Sequence, residues 1–277
     1  MKFPGAAYRH LALVCLVVLT AAGPTLAQST TEYEPRVGQE GKDVVWVPSP
    51  QLLVDKMMEI AKVTPQDYVI DLGSGDGRTV ITAAKLGAKA LGIEYNPDLV
   101  ELSKRNAAKA GVSDKAKFVK ADIFESDFSE ATVVTMFLLP DLNLKLRPTL
   151  LNLKPGTRLV SNTFTMGEWQ SDETVSVGGG NCTSWCTAHL WIVPAKVAGT
   201  WQSPQGELKL EQTFQMVTGT LKSGNGTTPV NGKLAGDRIV LMAGDAQYSG
   251  KVNGDIIEGT SKSAGKEVQW RATRAGK

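Results

Sequence analysis

From about residue 50 to residue 195 the apolar positions switch repeatedly between helical and strand spacing. Leu52, Leu53, Met57 and Ile60 recur at helical spacing, and Ser49-Pro50 offers an N-cap followed by proline at the first helical position. Tyr68-Val69-Ile70 then runs into Asp71 as a short buried strand. Helical spacing returns at Val80, Ile81, Ala84 and Leu86 and stops at Gly87. Residues 90–93 read as a second strand that ends in Glu94. Asn96-Pro97-Asp98 opens the next helix with a cap, a proline and a first-turn acid, and that helix ends near Gly111. A third strand over 116–119 leads to Asp122, and a continuous apolar strand over 131–139 is broken by Pro140. A short helix around 142–153 and a fifth strand over 157–161 follow. Strands alternating with helices predict an α/β fold with a Rossmann-like, doubly wound parallel sheet. Residues 173–193 supply an antiparallel pair at one edge, with Gly178-Gly179-Gly180 between, which completes a seven-strand sheet.

The period changes at about Ala195. Beyond it lie short glycine-punctuated runs with no helical spacing, among them residues 217–221, 230–234 and 248–252. Gly-Asp pairs recur at Gly236-Asp237, Gly244-Asp245 and Gly254-Asp255, and Trp201 and Trp270 bracket the region. This predicts a small all-β domain over 196–277, an antiparallel meander or partial barrel. It serves either as a binding or attachment module or as a passive stabilising domain. Upstream, residues 28–45 are polar and turn-rich (Pro35, Gly38, Gly41) and read as a lead-in to a domain over 46–195.

The first 27 residues have the pattern of a secretory signal peptide. Lys2 and Arg9 give a basic start, Leu11 to Ala22 is apolar, and Thr25-Leu26-Ala27 resembles a cleavage site. The apolar run is short for a membrane span, so the expected protein is exported to the periplasm, and membrane-anchored only if uncleaved. Removing Lys2 and Arg9 from the 30 basic residues leaves 28 against 28 acidic ones. That balance, without a Lys/Arg cluster, excludes non-specific nucleic-acid binding as the main function. Export makes a disulfide between Cys182 and Cys186 plausible, with free thiols as the alternative. No metal site is expected, because His189 with those cysteines leaves zinc a ligand short. His189 lies in an apolar run and reads as a strand residue.

The densest chemistry is Asp71-Leu72-Gly73-Ser74-Gly75-Asp76-Gly77-Arg78, between the first strand and a helix start. Glycines there let backbone approach a ligand, and the helix N-terminus offers free N–H groups. A dinucleotide site wants G-x-G-x-x-G, whose third glycine would fall on Arg78 or Val80. The spacing is instead D-x-G-x-G-x-G, and its acid suits a ligand with hydroxyls and a cationic amino acid part. Three successive strands end in acids, Asp71, Glu94 and Asp122, on the side of a doubly wound sheet where ligands bind. Glu94 stands 17 residues beyond Gly77, near the spacing of a ribose-binding carboxylate, and Asp122 suits an adenine amino group.

The glycine turn resembles motif I of the class I methyltransferases that use S-adenosylmethionine. With Gly92-Ile93-Glu94-Tyr95-Asn96-Pro97-Asp98 and Ala121-Asp122-Ile123-Phe124 it is similar to the lysine methyltransferases of the mitochondrial ATP synthase c-subunit and adenine nucleotide carrier, and to their bacterial relatives. Trp46-Val47-Pro48, Phe137-Leu138-Leu139-Pro140, residues 158–164 and Trp169 extend the likeness over roughly 46–195. The resemblance implies S-adenosyl-L-methionine as cofactor, with Asp71, Gly73, Ser74, Gly75, Asp76 and Gly77 around its amino acid part. It implies Glu94 on the ribose and Asp122 on the adenine. Trp46, Phe137, Pro140 and Asn162 would lie on the substrate side, where an aromatic wall favours a cation. No general base is identifiable.

The reading is therefore a methyltransferase acting on a protein lysine or another amine, its acceptor a protein or a small molecule. The alternative is an exported, non-catalytic binding module that keeps the fold. A nucleotide-sugar or NAD enzyme is a third reading, which Arg78 disfavours.

Overall fold

The computed structural model describes residues 1–2, 32–178 and 182–276. The expected signal peptide lies almost wholly outside them, as do Gly179 and Gly180. The described residues from Tyr33 onward form one unit.

The sheet has seven strands in the order β3-β2-β1-β4-β5-β7-β6. Strands β1 (Tyr68–Leu72), β2 (Lys89–Glu94), β3 (Ala116–Lys120), β4 (Val133–Met136) and β5 (Arg158–Asn162) run parallel. Strands β6 (Glu173–Ser176) and β7 (Thr187–Ile192) close one edge antiparallel. Helices α1 (Gln51–Ile60), α2 (Arg78–Lys85), α3 (Pro97–Lys109) and α4 (Pro140–Leu150) connect or flank them. Central strands are apolar on both faces because helices cover both. Val69, Leu72, Val133 and Val134 are fully buried, and two core clusters form on either side of the sheet. Strand order reverses between β1 and β4, and the crevice at that switch point is where such sheets bind ligands.

Two local expectations are corrected. Ser49 does not cap α1. Pro50 holds the N-cap position without a side-chain bond, and the Ser49 hydroxyl instead accepts from the Asn162 amide at 2.9 Å. The fourth strand is four residues rather than nine, because 137–139 leave the ladder to line a cavity and Pro140 opens α4 rather than only ending the strand. A proline at the first helical position costs no hydrogen bond, so it marks a start as readily as a stop.

The partial barrel is in fact closed. Strands β8 (Gly199–Ser203), β9 (Gly206–Thr213), β10 (Met216–Ser223), β11 (Gly226–Ala235), β12 (Arg238–Ala243), β13 (Ala246–Asn253), β14 (Ile256–Ser263) and β15 (Lys266–Arg274) pair in sequence, and β15 returns to β8. Closure removes exposed sheet edges. The interior is filled by Trp201, Leu234, Ile239, Leu241, Ile257 and Trp270. A gap of about 10 Å³, the size of one water, lies beside Leu241, Tyr248 and Trp270. The Gly-Asp pairs and their kin are the turns, with Gly236, Gly244 and Gly254 at φ +64°, +57° and +58°. Among the described residues no helix is long and apolar enough to cross a membrane, and no cluster of metal ligands forms.

Candidate functional site

The glycine turn follows directly from β1. Gly73, Gly75 and Gly77 have φ of +79°, +55° and +82°, the left-handed region that side chains disfavour. A Cβ on Gly75 would stand 2.6 Å from the Trp46 indole nitrogen, so the turn can be closed over by Trp46 only with glycine there. The Ser103 hydroxyl donates to the Gly75 carbonyl at 2.8 Å, and the Asn106 amide donates to the Asp76 carbonyl at 3.0 Å. These two bonds from α3 hold the turn from behind. The Asp76 carboxylate is committed to Arg78, which donates from Nη2 at 2.5 Å and also from Nη1 to the Ser49 carbonyl at 2.7 Å. The Gly75→Ala protein should bind any ligand of this turn about tenfold more weakly and lose about 1–2 kcal/mol of stability, both readable by calorimetry and chemical denaturation.

Asp71 is buried beside the turn and accepts from the Thr135 hydroxyl at 2.6 Å. Burial, reinforced by the charges of Glu94 and Asp76, pushes its carboxyl up to about 7, although Thr135 and Thr79 pull the other way. A buried carboxyl so raised is a place where a ligand cation would be welcome. Glu94, at the end of β2, accepts from the Gly75 and Asn96 backbone N–H groups, each at 2.9 Å. These bonds fix its orientation and leave lone pairs for a diol. Asp122 lies just past β3 and accepts from the Phe124 N–H and from the Lys42 ammonium. The Lys42 hydrogen bond, chiefly, holds its carboxyl below the usual carboxylate range. Lys42 also lies over the Tyr95 ring, 5.2 Å from its centroid. The Ser74 hydroxyl is buried without a partner, close under Gly92, where a Cβ would approach it to 2.5 Å.

These groups line one cavity of about 210 Å³ at the carboxyl end of the parallel strands. By strand order its acidic half, beyond β1, β2 and β3, holds Asp71, Glu94, Asp122, Gly73 and Gly75; its apolar half, on the side of β4, β5 and β7, holds Met136, Phe137, Leu138, Leu139, Leu142, Phe164 and Trp185. Of the four residues expected on the substrate side, Trp46 and Phe137 line the cavity, Trp46 against the glycine turn rather than on the apolar half. Pro140 and Asn162 do not line it. Pro140 is an exposed first helical residue, and Asn162 is buried, bonded to Ser49 and Thr163. Gly77 lies behind the cavity, packed against Phe118 and Ser103. His189 lies in β7 between the Thr163 carbonyl and the Thr174 hydroxyl, and burial lowers its basicity.

Sequence reasoning missed Lys42 and Trp185. Lys42 gave no signal, being one cation in a polar lead-in. Trp185 carried one: a tryptophan inside the C-x3-C pair, which the structure closes as a disulfide between Cys182 and Cys186.

A family model described as the ANTKMT methyltransferase domain matches residues 71–173. A protein-lysine N-methyltransferase of Saccharolobus islandicus (strain REY15A) is 46% identical over 153 residues, 54% of this chain and 94% of that protein. The lysine N-methyltransferase of the ATP synthase c-subunit from Mus musculus is 40% identical over 111 residues, 40% of this chain but only 45% of that protein. Among solved structures, an RNA methyltransferase from Salinibacter ruber in complex with S-adenosyl-L-homocysteine shares 48% identity at a TM-score of 0.51. The match covers 55% of this chain and 96% of that one.

Proposed function

Since the chain belongs to the ANTKMT methyltransferase family and is an S-adenosylmethionine-dependent methyltransferase, we propose that its acceptor is the side-chain amine of a protein lysine. The observation that carries this reading is the division of the cavity, acids and glycines on one side and aromatic rings on the other. The acidic half fits the cofactor. Asp71, with its raised carboxyl, would meet the cationic amino acid part, Glu94 the ribose hydroxyls and Asp122 the adenine amino group. The glycine turn would lie along the amino acid part, with Trp46 covering it. Lys42 would have to yield or share Asp122.

When bound, the cofactor supplies an electrophilic methyl group on a sulfonium. The chain's task is to position the acceptor nitrogen in line with it and to let that nitrogen lose its proton. The apolar half offers no carboxylate to hold an ammonium charged, so entry desolvates the amine and favours its neutral, nucleophilic form. Both relatives from Saccharolobus islandicus and Mus musculus are named for lysine, which supports the same acceptor.

A second reading rests on the Salinibacter ruber protein, named an RNA methyltransferase. The even balance of charge disfavours it, since RNA binding draws on clustered Lys and Arg. One assay separates the two: mature protein with radiolabelled cofactor, offered a lysine-rich peptide pool and total RNA. Label in the peptide, abolished when the lysines are acetylated, is expected. Label confined to RNA would overturn the lysine reading, and cofactor binding without transfer would favour a non-catalytic module. Glu94→Gln should raise the cofactor Kd about tenfold and cost about 1–3 kcal/mol of stability, because one amide oxygen replaces the two carboxylate oxygens that accept from Gly75 and Asn96; calorimetric titration and urea denaturation read the two effects.

We also propose that the protein is exported. The amino-terminal pattern supports this, and so does a disulfide, which persists in oxidising compartments.

A further inference from the structure

Three aromatic rings meet at the mouth of the cavity, and they come from three different connections. Phe137 follows β4, Phe164 follows β5 and Trp185 precedes β7. Their centroids are 6.0 Å apart for Phe137 and Phe164, 5.7 Å for Phe137 and Trp185, and 5.5 Å for Phe164 and Trp185. They form one continuous apolar wall beside Leu139 and Leu142.

Two of the three rings are set by strained backbone. Trp185 has φ +60° and is 40% exposed, a costly conformation for a large side chain that gains little from burial. Phe164 follows Thr163, a β-branched residue at φ +62°, and its N–H donates to the Asn162 carbonyl at 2.7 Å across a tight γ-turn. Such strain persists where the surroundings over-determine it. At Trp185 those surroundings are the bridge between Cys182 and Cys186, with the Cys186 carbonyl accepting from the Val177 N–H at 2.9 Å. The family model ends at residue 173, so this loop lies beyond the segment it matches.

We propose that Trp185 is a specificity-determining residue on the acceptor side: with Phe137 and Phe164 it receives the lysine side chain along its methylene stem and the methylated ammonium that transfer leaves on it, and the Cys182–Cys186 bridge positions it. The proposal deepens the lysine reading and rests on it. The rings pack on the methylene stem, and their faces attract the methylated cation. Reduction of the bridge frees Trp185 to leave its left-handed conformation, and the wall loses its third member. Trp185 packs on Phe137 and Phe164, at the strand ends opposite the acids, so cofactor binding is expected to be unaffected.

The test uses the oxidised protein saturated with S-adenosylhomocysteine. It is titrated calorimetrically with N-acetyl trimethyllysine methylamide and with the neutral isostere carrying a tert-butyl group. The cation is expected to bind about tenfold more tightly than the isostere, the scale of a partly desolvated cation–aromatic contact. Trp185→Ala should erase that preference, Trp185→Phe should keep part of it, and S-adenosylhomocysteine should bind all three proteins equally. Dithiothreitol should weaken cation binding by the wild type and leave the Cys182→Ser, Cys186→Ser double variant, already weak, unchanged. Equal affinity for cation and isostere, or a preference that survives Trp185→Ala, would overturn the proposal. Cation binding through Trp185 without lysine methylation would instead remove the lysine reading and leave the aromatic site standing. Lysine methylation with an unchanged acceptor KM in Trp185→Ala would do the reverse.

Discussion

Asp71→Asn should make the cofactor-free protein more stable above pH 7 while weakening S-adenosylmethionine binding about a hundredfold, the scale of a lost charged hydrogen bond. The cause is the burial of its carboxyl between Thr135, Glu94 and Asp76. In the unfolded chain the group titrates at its ordinary 3.8; folded, it is held at about 7. The folded state therefore binds the extra proton, and stability falls as pH rises between those two values. Below about pH 4 the carboxyl costs the fold nothing; above about pH 7 it costs its full amount, on the order of 4 kcal/mol. Asparagine keeps an acceptor for Thr135 and carries no charge, so that cost disappears. Urea denaturation at pH 5 and pH 8 reads the effect, with a larger gain for the variant at pH 8. A cationic ligand beside Asp71 reverses the balance for the wild type by favouring the carboxylate. Cofactor affinity should accordingly fall as pH drops below about 7 in the wild type and stay flat in Asp71→Asn. A variant less stable than wild type at pH 8 would mean that Asp71 is stabilised by groups other than those that surround it here.

How much of this was legible in the sequence depends on how local the signal was. The strand, turn and helix around Asp71 were readable because three alternate glycines admit few backbone paths. Glu94 and Asp122 were readable because strand ends in such a sheet converge. Phe137 was readable only through the family resemblance, and Pro140, picked on the same ground, turned out to serve the helix instead. Asn162 was misplaced because nothing in a strand sequence says which side chain will be taken by a neighbour such as Ser49. Barrel closure depends on β15 meeting β8 across the whole domain, a pairing no short-range pattern encodes. Lys42 reaches Asp122 across 80 positions and gave no warning.

Other long-range contacts give the barrel a physical role. Trp169 lies in the connection from β5 to β6, fully buried, with its ring stacked on Phe214 at 5.8 Å and tilted against Trp191 at 6.3 Å. Phe214 belongs to the turn between β9 and β10 of the barrel. The same turn sends the Gln215 amide to the Gln170 carbonyl at 2.8 Å, and Lys233 of β11 pairs with Asp172 at 2.9 Å. The Trp169 carbonyl in turn accepts from the Trp191 indole at 2.7 Å. The barrel thus grips, at Trp169, Gln170 and Asp172, the connection that begins just after β5 and carries Phe164. Trp169→Ala removes the stacked partner and leaves a cavity between sheet and barrel, for an expected loss of about 3–5 kcal/mol. The Trp169 indole N–H has no protein partner, so Trp169→Phe gives up no hydrogen bond to the protein and should recover most of the loss. Phe214→Ala, from a half-buried ring, should cost about 1–3 kcal/mol. If the barrel acts as a clamp, both alanine variants should raise the acceptor KM while leaving cofactor affinity near wild type at temperatures where they remain folded. Stability lost without any change in acceptor KM would make the barrel a passive support. An unchanged denaturation midpoint in Trp169→Ala would mean that the sheet holds this connection unaided.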